Sequence, residues 1–196
     1  MVNDRLGRRA KSLQNEKKII LIITEDTKSS CFYMEEFKSH YKIHGVNLKL
    51  KILSSKGNTN IEGLMELAKS ENKNLDIDET YIITDCENVN CDIFQMKNHE
   101  NKNKKYNFTI SVPCFEFFVY LHNNPKSTKP FNNCDELVRT LEKSFKYSKS
   151  NRDFFKVLVT QFDKIKNHQS VKYTNPSTEI PELLNKLLEY KAKKLI

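Results

Sequence analysis

The amino-acid sequence predicts an α/β protein in which a mostly parallel sheet is flanked by helices and followed by a helical C-terminal region. Three short runs of mostly apolar, β-branched residues have the length of buried strands, at 19–24 (IILIIT), 80–84 (TYIIT) and 107–112 (NFTISV). Stretches with helical spacing of apolar residues alternate with these runs, which is typical of a parallel sheet. After residue 123 the spacing indicates mainly helices, near 133–147, 151–172 and 178–193.

The first elements follow from the local sequence. Residues 1–18 form a basic arm, and the strand 19–24 follows it directly. The spacing of apolar residues predicts a helix from about Lys28 to Gly45, because glycine is favoured just after a helix end. At 48–52 (LKLKI), leucine and isoleucine alternate with lysine, which predicts a half-exposed strand at an edge of the sheet.

The remaining elements carry their own start signals. Thr59 and Glu62 have the spacing of a capping box, which predicts that a helix begins there. Apolar residues at 93–96 indicate a short helix before a polar run. Pro113 follows the third buried strand and stands at the start of the next predicted helix, where proline is tolerated. In the C-terminal region, residues 155–159 are the one candidate for a further strand.

The domain organisation follows from this change of pattern. At 196 residues and 23.1 kDa, the chain can bury one good core, alone or with a helical appendage. We divide it into the basic arm 1–18, an α/β domain 19–123 and a helical region 124–196 that packs on that domain.

The charge of the chain favours a polyanionic partner. The formal net charge is +8, which attracts nucleic acid over long range, although a lysine-rich composition makes any surface basic. The candidate nucleic-acid contacts are basic residues of the arm and the lysine after the first acidic pair: Arg8, Arg9, Lys11, Lys17, Lys18 and Lys28. The alternatives are a solvated tail and a solvated lysine at a helix start.

The cysteines and the lengths of the apolar runs indicate in which cellular compartment we expect the protein. The five cysteines are odd in number and form no CxxC pair, so we expect free thiols in a reducing cytoplasm. Cys86 and Cys91 are spaced CxxxxC, which is an incomplete zinc pattern without a second pair. The longest apolar runs are too short for a signal peptide or a membrane span, so we expect no membrane association.

Carboxylates follow the ends of three predicted strands. Glu25 and Asp26 follow the first buried strand, Asp85 and Glu87 follow the second, and Glu116 lies in the first turn of the helix after the third. Because the carboxyl ends of parallel strands share one edge of a sheet, we expect these acids to converge there. Close carboxylates repel one another unless a cation offsets them, and Mg²⁺ or Mn²⁺ would suit this set. The alternative is a set of loop acids, with Glu116 stabilising its helix dipole.

Four stretches of the sequence, taken in order, resemble the RloB-like family: IILIITEDTKSSCFYMEEF, YIITDCEN, SVPCFEFFVYLHN and NPSTEIPELLNKL. The resemblance extends over about residues 5–190, nearly the whole chain. The resemblance implies the Toprim-type domain of topoisomerases, primases and old-family nucleases. It also implies a role in phage defence by abortive infection, together with an ATPase partner protein.

Two positions depart from the family pattern. Asp26 stands where the family usually has glycine, directly after Glu25, and its side chain can alter a tight turn beside the metal. The family's Asp-x-Asp appears here as Asp85-Cys86-Glu87, whose second acid is longer. Both departures leave room for a weakened or altered activity.

Two functions from different classes follow from these observations. The first is a Mg²⁺-dependent nuclease that hydrolyses DNA or RNA, in which Glu25 is a metal ligand or general base and Asp85 and Glu87 hold the metal ion. Glu116 would be an added ligand or would position the attacking water. The alternative is a non-catalytic nucleic-acid-binding or regulatory subunit of a defence complex.

Two further features have structural explanations as well as functional ones. His122 ends an apolar helix, where a histidine is more often a core residue than a catalytic one, although it lies inside the family-like stretch. In 175–178 (NPST), Pro176 can end one helix, and Ser177 or Thr178 can cap the next.

Overall fold

The computed structural model describes residues 18–43, 48–55, 60–74, 76–86, 91 and 106–192. The strands are β1 (Lys18–Thr24), β2 (Leu48–Ser54), β3 (Glu79–Asp85), β4 (Tyr106–Val112) and β5 (Ser177–Thr178). The helices are α1 (Ser29–His40), α2 (Ile61–Asn74), α3 (Glu116–Leu121), α4 (Cys134–Phe145), α5 (Arg152–Val159) and α6 (Ile180–Ala192), with a 3₁₀ turn at Phe162–Lys164.

The five strands form one sheet in the order β2-β1-β3-β4-β5. The first four are parallel, and β5 runs antiparallel to β4. The predicted α/β fold with a mostly parallel sheet is therefore confirmed, and β2 lies at an edge as its alternation with lysine indicated. In the register, Thr24 pairs with Ile83, and Asp85 pairs with Ser111. The ends of β1, β3 and β4 therefore lie at one edge of the sheet.

Both faces of the sheet are buried, which explains why β1 is apolar at successive positions. Ile20 and Ile22 belong to the larger core, which α1 and the helices from α3 onward cover. Leu21 and Ile23 belong to the smaller core on the other face, where α2 contributes Leu64. Parallel strands covered on both faces lose the polar alternation of a half-exposed strand.

The first helix ends earlier than its sequence predicts. It stops at His40, and Lys42 adopts a positive φ of 49°. The Lys42 amide donates to the Ser39 carbonyl at 3.1 Å, and the Ile43 amide donates to the Lys38 carbonyl at 2.9 Å. These two hydrogen bonds together define a Schellman motif. Lys42 thus takes the position that the sequence assigned to glycine, and Gly45 lies outside the described residues.

Other helix boundaries also differ from expectation. Residues 155–159 are helical, because Phe155, Leu158 and Val159 are buried at helical spacing on α5. The helix predicted over 151–172 ends at Val159 and is followed by the 3₁₀ turn. Pro113 precedes α3 by three residues rather than beginning it.

The residues that cap α2 and α6 differ in part from those that the sequence predicts. The side chain of Asn60 accepts a hydrogen bond from the Gly63 amide at 2.7 Å at the start of α2, while Thr59 lies outside the described residues, as do residues 93–96. Thr178 does reach the first turn of α6, with Oγ1 3.4 Å from the Ile180 amide. The same residue also forms part of β5, which was not predicted.

The cysteines are not all free. The structure joins Cys86 to Cys91 and Cys114 to Cys134 by disulfides, while Cys31 is a buried free thiol. The expectation of free thiols throughout was therefore wrong. Cys86 and Cys91 are only five residues apart, whereas Cys114 and Cys134 are 20 residues apart and meet near the starts of α3 and α4. Among the described residues, no helix combines the length and apolarity needed to cross a membrane.

The C-terminal region contributes directly to the sheet and its larger core. It supplies β5 at the edge beside β4, and Leu184 and Leu187 of α6 pack into the core that contains Ile20 and Ile22. The boundary at residue 123 stays a prediction, and residues 1–17 of the arm lie outside the described residues.

Candidate active site

Two carboxylates meet where the neighbouring strands β1 and β3 end. The Glu25 amide donates to the Ile83 carbonyl at 3.0 Å, which continues the ladder one residue beyond β1. The Glu25 carboxylate then turns toward β3, where its Oε2 accepts from the Asp85 amide at 3.1 Å and from the Thr84 hydroxyl. The end of β3 thereby fixes the position of the Glu25 carboxylate, which follows β1.

Asp85 connects this pair to the third strand end. Its Oδ1 accepts a hydrogen bond from the Phe115 amide at 2.8 Å, in the segment between β4 and α3. Burial raises the pKa of the Asp85 carboxyl well above its ordinary value, and the nearby charges of Glu116 and Glu25 raise it further. The Phe115 hydrogen bond opposes these effects without cancelling them.

Asp26 has a structural role in this neighbourhood. Its Oδ1 accepts from the amides of Ser30 and Cys31 at 3.1 and 3.3 Å and from the Ser30 hydroxyl at 2.7 Å. Its Oδ2 accepts from the Ser29 hydroxyl. Since the first amides of a helix have no partners within it, Asp26 satisfies the start of α1.

Glu116 lies deeper than the other acids. Its side chain is 1% exposed, and its Oε1 accepts from the Tyr147 hydroxyl at 2.7 Å and pairs with the Lys149 ammonium at 3.1 Å. The Glu116 charge acts on Asp85, but Glu116 does not line the cavity that Asp85 lines. Its contacts with Tyr147 and Lys149 hold this buried carboxylate in place.

A small cavity lies between these groups. Its volume is about 120 Å³, and its lining residues come from the strand ends, the start of α1 and the connection after α4: Glu25, Asp26, Ser30, Ile83, Asp85 and Lys149. One water takes up about 30 Å³ in the liquid, so the cavity has room for a cation and a few waters.

The donor set suits a hard divalent cation. Glu25 and Asp85 bring carboxylate oxygens from two adjacent strands, which are the ligands that Mg²⁺ prefers. Burial raises the pKa of Asp85 most, and the charges of Glu116 and Glu25 raise it further; a bound cation would favour the ionised carboxylate against both effects. The residues present therefore fit such an ion.

Of the other predicted nucleic-acid-binding and metal-binding residues, the structure describes Lys18 and Lys28, and neither lines this cavity. Glu87, Arg8, Arg9, Lys11 and Lys17 lie outside the described residues. Lys28 is exposed at the start of α1, and its amide donates to Asp26. Lys18 is at the opposite end of β1 from Glu25, so it does not belong to the acidic edge.

Lys18 instead belongs to a charged cluster around Glu79 at the other end of the sheet. Lys18 and Lys186 pair with the two Glu79 oxygens, and Lys18 lies 3.8 Å from the centre of the Tyr190 ring. Burial alone would raise the pKa of Glu79, but hydrogen bonds from Lys18, Tyr81, Tyr190 and Lys186 lower it to about 2.

His122 is a core residue. Its ring is 0% exposed, its Nδ1 lies 3.0 Å from the Phe118 carbonyl, and its Nε2 lies 3.2 Å from the Tyr33 hydroxyl. Burial lowers the pKa of His122 to about 4, so the ring is neutral at ordinary pH. A neutral ring donates from Nδ1 to the carbonyl and accepts at Nε2 from Tyr33.

One other group of metal-ligand types occurs among the described residues. Potential ligand atoms of Cys114, Glu116 and Cys134 lie within 4.8 Å of one another. The two sulfurs are already joined to each other, and Glu116 is paired with Lys149. The Cys114–Cys134 disulfide and the Glu116–Lys149 ion pair therefore stabilise the structure beside the cavity.

Sequence reasoning missed Tyr147 and Lys149. They lie in the polar connection between α4 and α5, in the stretch FKYSKSNRD, which matches no motif and has no periodicity. Their contact with Glu116 spans more than 30 residues of sequence. No local signal could have identified them.

Comparison with known proteins identifies one family. A family model described as RloB-like protein matches residues 20–187, which is most of the chain. Comparison with curated proteins gave no match, and comparison with solved structures gave none.

Proposed function

The chain belongs to the RloB-like protein family, and we propose that it is a Mg²⁺- or Mn²⁺-dependent nuclease that hydrolyses phosphodiester bonds in nucleic acid. The observation that carries the proposal is the meeting of Glu25 and Asp85 in one cavity at the carboxyl edge of the sheet. Open α/β sheets bind ligands at this edge.

The residues have distinct roles in this proposal. Glu25 and Asp85 would hold the ion, with Glu87 as the third carboxylate of the predicted set. A bound divalent ion supplies Lewis acidity at the phosphate and a more acidic water. The hydrogen bonds from Thr84, the Asp85 amide and the Phe115 amide fix the two carboxylates in place. A ligand held in this way does not need to reorganise when the phosphate arrives.

The family resemblance extends the proposal to phage defence by abortive infection, with an ATPase partner protein. The second candidate is a non-catalytic nucleic-acid-binding or regulatory subunit of a defence complex. One observation favours it: Asp26, in the position where the family usually has glycine, brings a further carboxylate to the cavity wall.

A cleavage assay separates these functions. Labelled DNA and labelled tRNA are each incubated with the full chain in Mg²⁺, in Mn²⁺ and in EDTA. The nuclease should cleave at least one substrate with either metal and neither substrate in EDTA, and Glu25→Gln should abolish cleavage. The matched control is Glu62→Gln, because Glu62 is an exposed acid on α2 and does not line the cavity. Binding of either nucleic acid without any metal-dependent cleavage would favour the non-catalytic subunit.

A further inference from the structure

Lys149 brings a positive charge to the acidic cavity. Its side chain lines the cavity together with Glu25 and Asp85, and its ammonium lies 3.1 Å from Glu116 Oε1. We propose that Lys149 contacts the substrate phosphate beside the metal ion, and that Glu116 is a positioning residue that holds Lys149 there. This inference rests on the proposed nuclease function.

Glu116 is built to hold a cation in one place. A carboxylate that is 1% exposed is costly to bury unless it is paired and hydrogen-bonded. Tyr147 and Lys149 meet both requirements, and both act on the same oxygen. Since they are two residues apart in the chain, one short segment carries both partners of Glu116. Their shared anchor fixes the direction in which Lys149 extends.

The segment that carries Lys149 is itself fixed at both ends. The Tyr147 ring is buried and packs against the rings of Phe154 and Phe155, with centroids 5.4 and 6.2 Å away. The Asn151 amide donates to the Ser148 carbonyl at 3.0 Å, and the Asn151 side chain caps α5. A charge carried on a rigid connection is preorganised for a reaction.

Lys149 can contact Glu116 and a ligand at the same time. An ammonium group has three donors, and Glu116 accepts from one direction. The side chain is 45% exposed, so its outer part faces solvent while the ion pair lies inside. Burial alone would lower the pKa of Lys149, but the attraction of Glu116 outweighs it and raises the pKa, so the charge persists at neutral pH.

The charges that line the cavity show why a phosphate would need Lys149. Glu25, Asp26 and Asp85 would all repel a phosphodiester anion, and one divalent ion does not neutralise three carboxylates. Lys149 adds one positive charge at the same cavity, and Glu116 keeps it oriented. The phosphate would then be held from two sides, by the metal ion and by Lys149.

The test compares Lys149→Gln with Lys143→Gln, which removes the same charge from an exposed position in the last turn of α4. Mn²⁺ binding, oligonucleotide binding in Ca²⁺ and cleavage in Mg²⁺ are measured for each variant. Lys149→Gln should reduce cleavage about a hundredfold or more. It should also weaken oligonucleotide binding at least about tenfold, without weakening Mn²⁺ binding, since removal of a nearby cation favours the metal. Lys143→Gln should match the wild type.

The positioning role of Glu116 is tested by coupling. Glu116→Gln should reduce cleavage, and the double variant with Lys149→Gln should cleave no worse than Lys149→Gln alone, because Glu116 acts through Lys149. A purely structural residue would give additive losses. If Glu116→Gln fails to fold, Tyr147→Phe supplies the same comparison, because it removes only the hydroxyl that shares the Glu116 oxygen.

The outcomes separate this inference from the proposed function. Failure of the wild type to bind Mn²⁺ and to cleave would remove the nuclease proposal, and oligonucleotide binding in Ca²⁺ would then decide the role of Lys149 by itself. The inference is overturned if Lys149→Gln equals Lys143→Gln in oligonucleotide binding and, where the wild type cleaves, in cleavage. Additive losses in the double variant would overturn the role assigned to Glu116.

Discussion

Asp85 is a buried acid that lies close to other negative charges. Its pKa is raised by burial and then by the charges of Glu116 and Glu25. The folded protein therefore retains the Asp85 proton to higher pH than the unfolded chain, whose pKa is about 3.9. Above that pH the unfolded chain binds fewer protons, so the contribution of Asp85 to the free energy of unfolding falls as pH rises. At neutral pH and without metal, Asp85 is destabilising.

We predict that Asp85→Asn abolishes metal-dependent cleavage and does not lower the melting temperature in EDTA. Asn keeps the size of the side chain and an oxygen for the Phe115 amide, but it removes the charge that would hold the cation. The rate should fall on the order of a hundredfold or more. Cleavage at the wild-type rate would show that Asp85 is not a ligand, and a much lower melting temperature in EDTA would show a structural role.

We also predict that His122 makes the protein sensitive to mild acid. Its pKa is about 4 because it is buried, whereas an unfolded histidine titrates near about 6.5. Between these values the unfolded chain binds the extra proton, so unfolding becomes more favourable as pH falls. From about pH 7.5 to about pH 5 the wild type should lose about 2 kcal/mol of unfolding free energy through this residue.

Denaturant unfolding at the two pH values measures the effect of His122. His122→Gln should be less stable than the wild type at the higher pH, but its loss on acidification should be smaller by about 2 kcal/mol. His40→Gln is the control, since His40 is exposed at the end of α1. An unchanged acid loss in His122→Gln would contradict the prediction.

At this scale the sequence predicted the acids and missed their partners. Glu25 and Asp85 could be predicted because each directly follows an apolar run, and parallel strands bring such positions to one edge. The partners of Glu116 could not, because Tyr147 and Lys149 reach it through tertiary packing of α3 against the connection after α4. The prediction that Glu116 is an added ligand or positions the attacking water was made without that contact, and it stays a prediction.

At the scale of elements, the start of α1 explains the acid that departs from the family pattern. The Asp26 carboxylate accepts hydrogen bonds from the first amides of α1 and from the Ser29 and Ser30 hydroxyls. We predict that Asp26→Gly lowers the free energy of unfolding by about 1–3 kcal/mol, because several charge-assisted hydrogen bonds are lost. Cleavage should be retained at a temperature where the variant is folded.

Thermal melting and cleavage of the same sample test the role of Asp26. Asp26→Asn is the matched variant, since it keeps one acceptor oxygen without the charge, and it should lose less stability than Asp26→Gly. A glycine variant that melts with the wild type would disprove the capping role. If Asp26→Gly is folded but does not cleave nucleic acid, Asp26 would be a catalytic residue.

The elements also show where local sequence is sufficient. The four parallel strands could be predicted because each is a short apolar or alternating run. The strand β5 could not, since two residues have no periodicity and Ser177 and Thr178 pair with β4 only through the tertiary fold. The disulfide Cys114–Cys134 was missed for the same reason, because its partners are 20 residues apart and meet only when α3 packs beside α4.

At the scale of the whole molecule, the net charge of +8 concerns binding rather than fold. Part of this charge is already engaged in the structure, since Lys18 and Lys186 pair with Glu79 and Arg152 pairs with Glu35 and Glu36. Charges in such pairs are less available to a nucleic acid. The basic residues of the arm that precede Lys18 therefore carry a large share of the prediction that this protein binds nucleic acid.

We predict that binding of labelled DNA or RNA to the full chain weakens steeply with salt. The slope of log affinity against log salt should be near −0.9 for each phosphate contacted on duplex DNA and about −0.7 on a single strand. Replacing Arg8, Arg9 and Lys11 with glutamine should reduce the magnitude of this slope by up to the contribution of about three phosphate contacts. Replacing Lys69 and Lys73, which are exposed on α2, should change it less. Binding that ignores salt, or equal effects of the two sets, would mean that the basic charge is a general surface property and that the arm does not hold the nucleic acid.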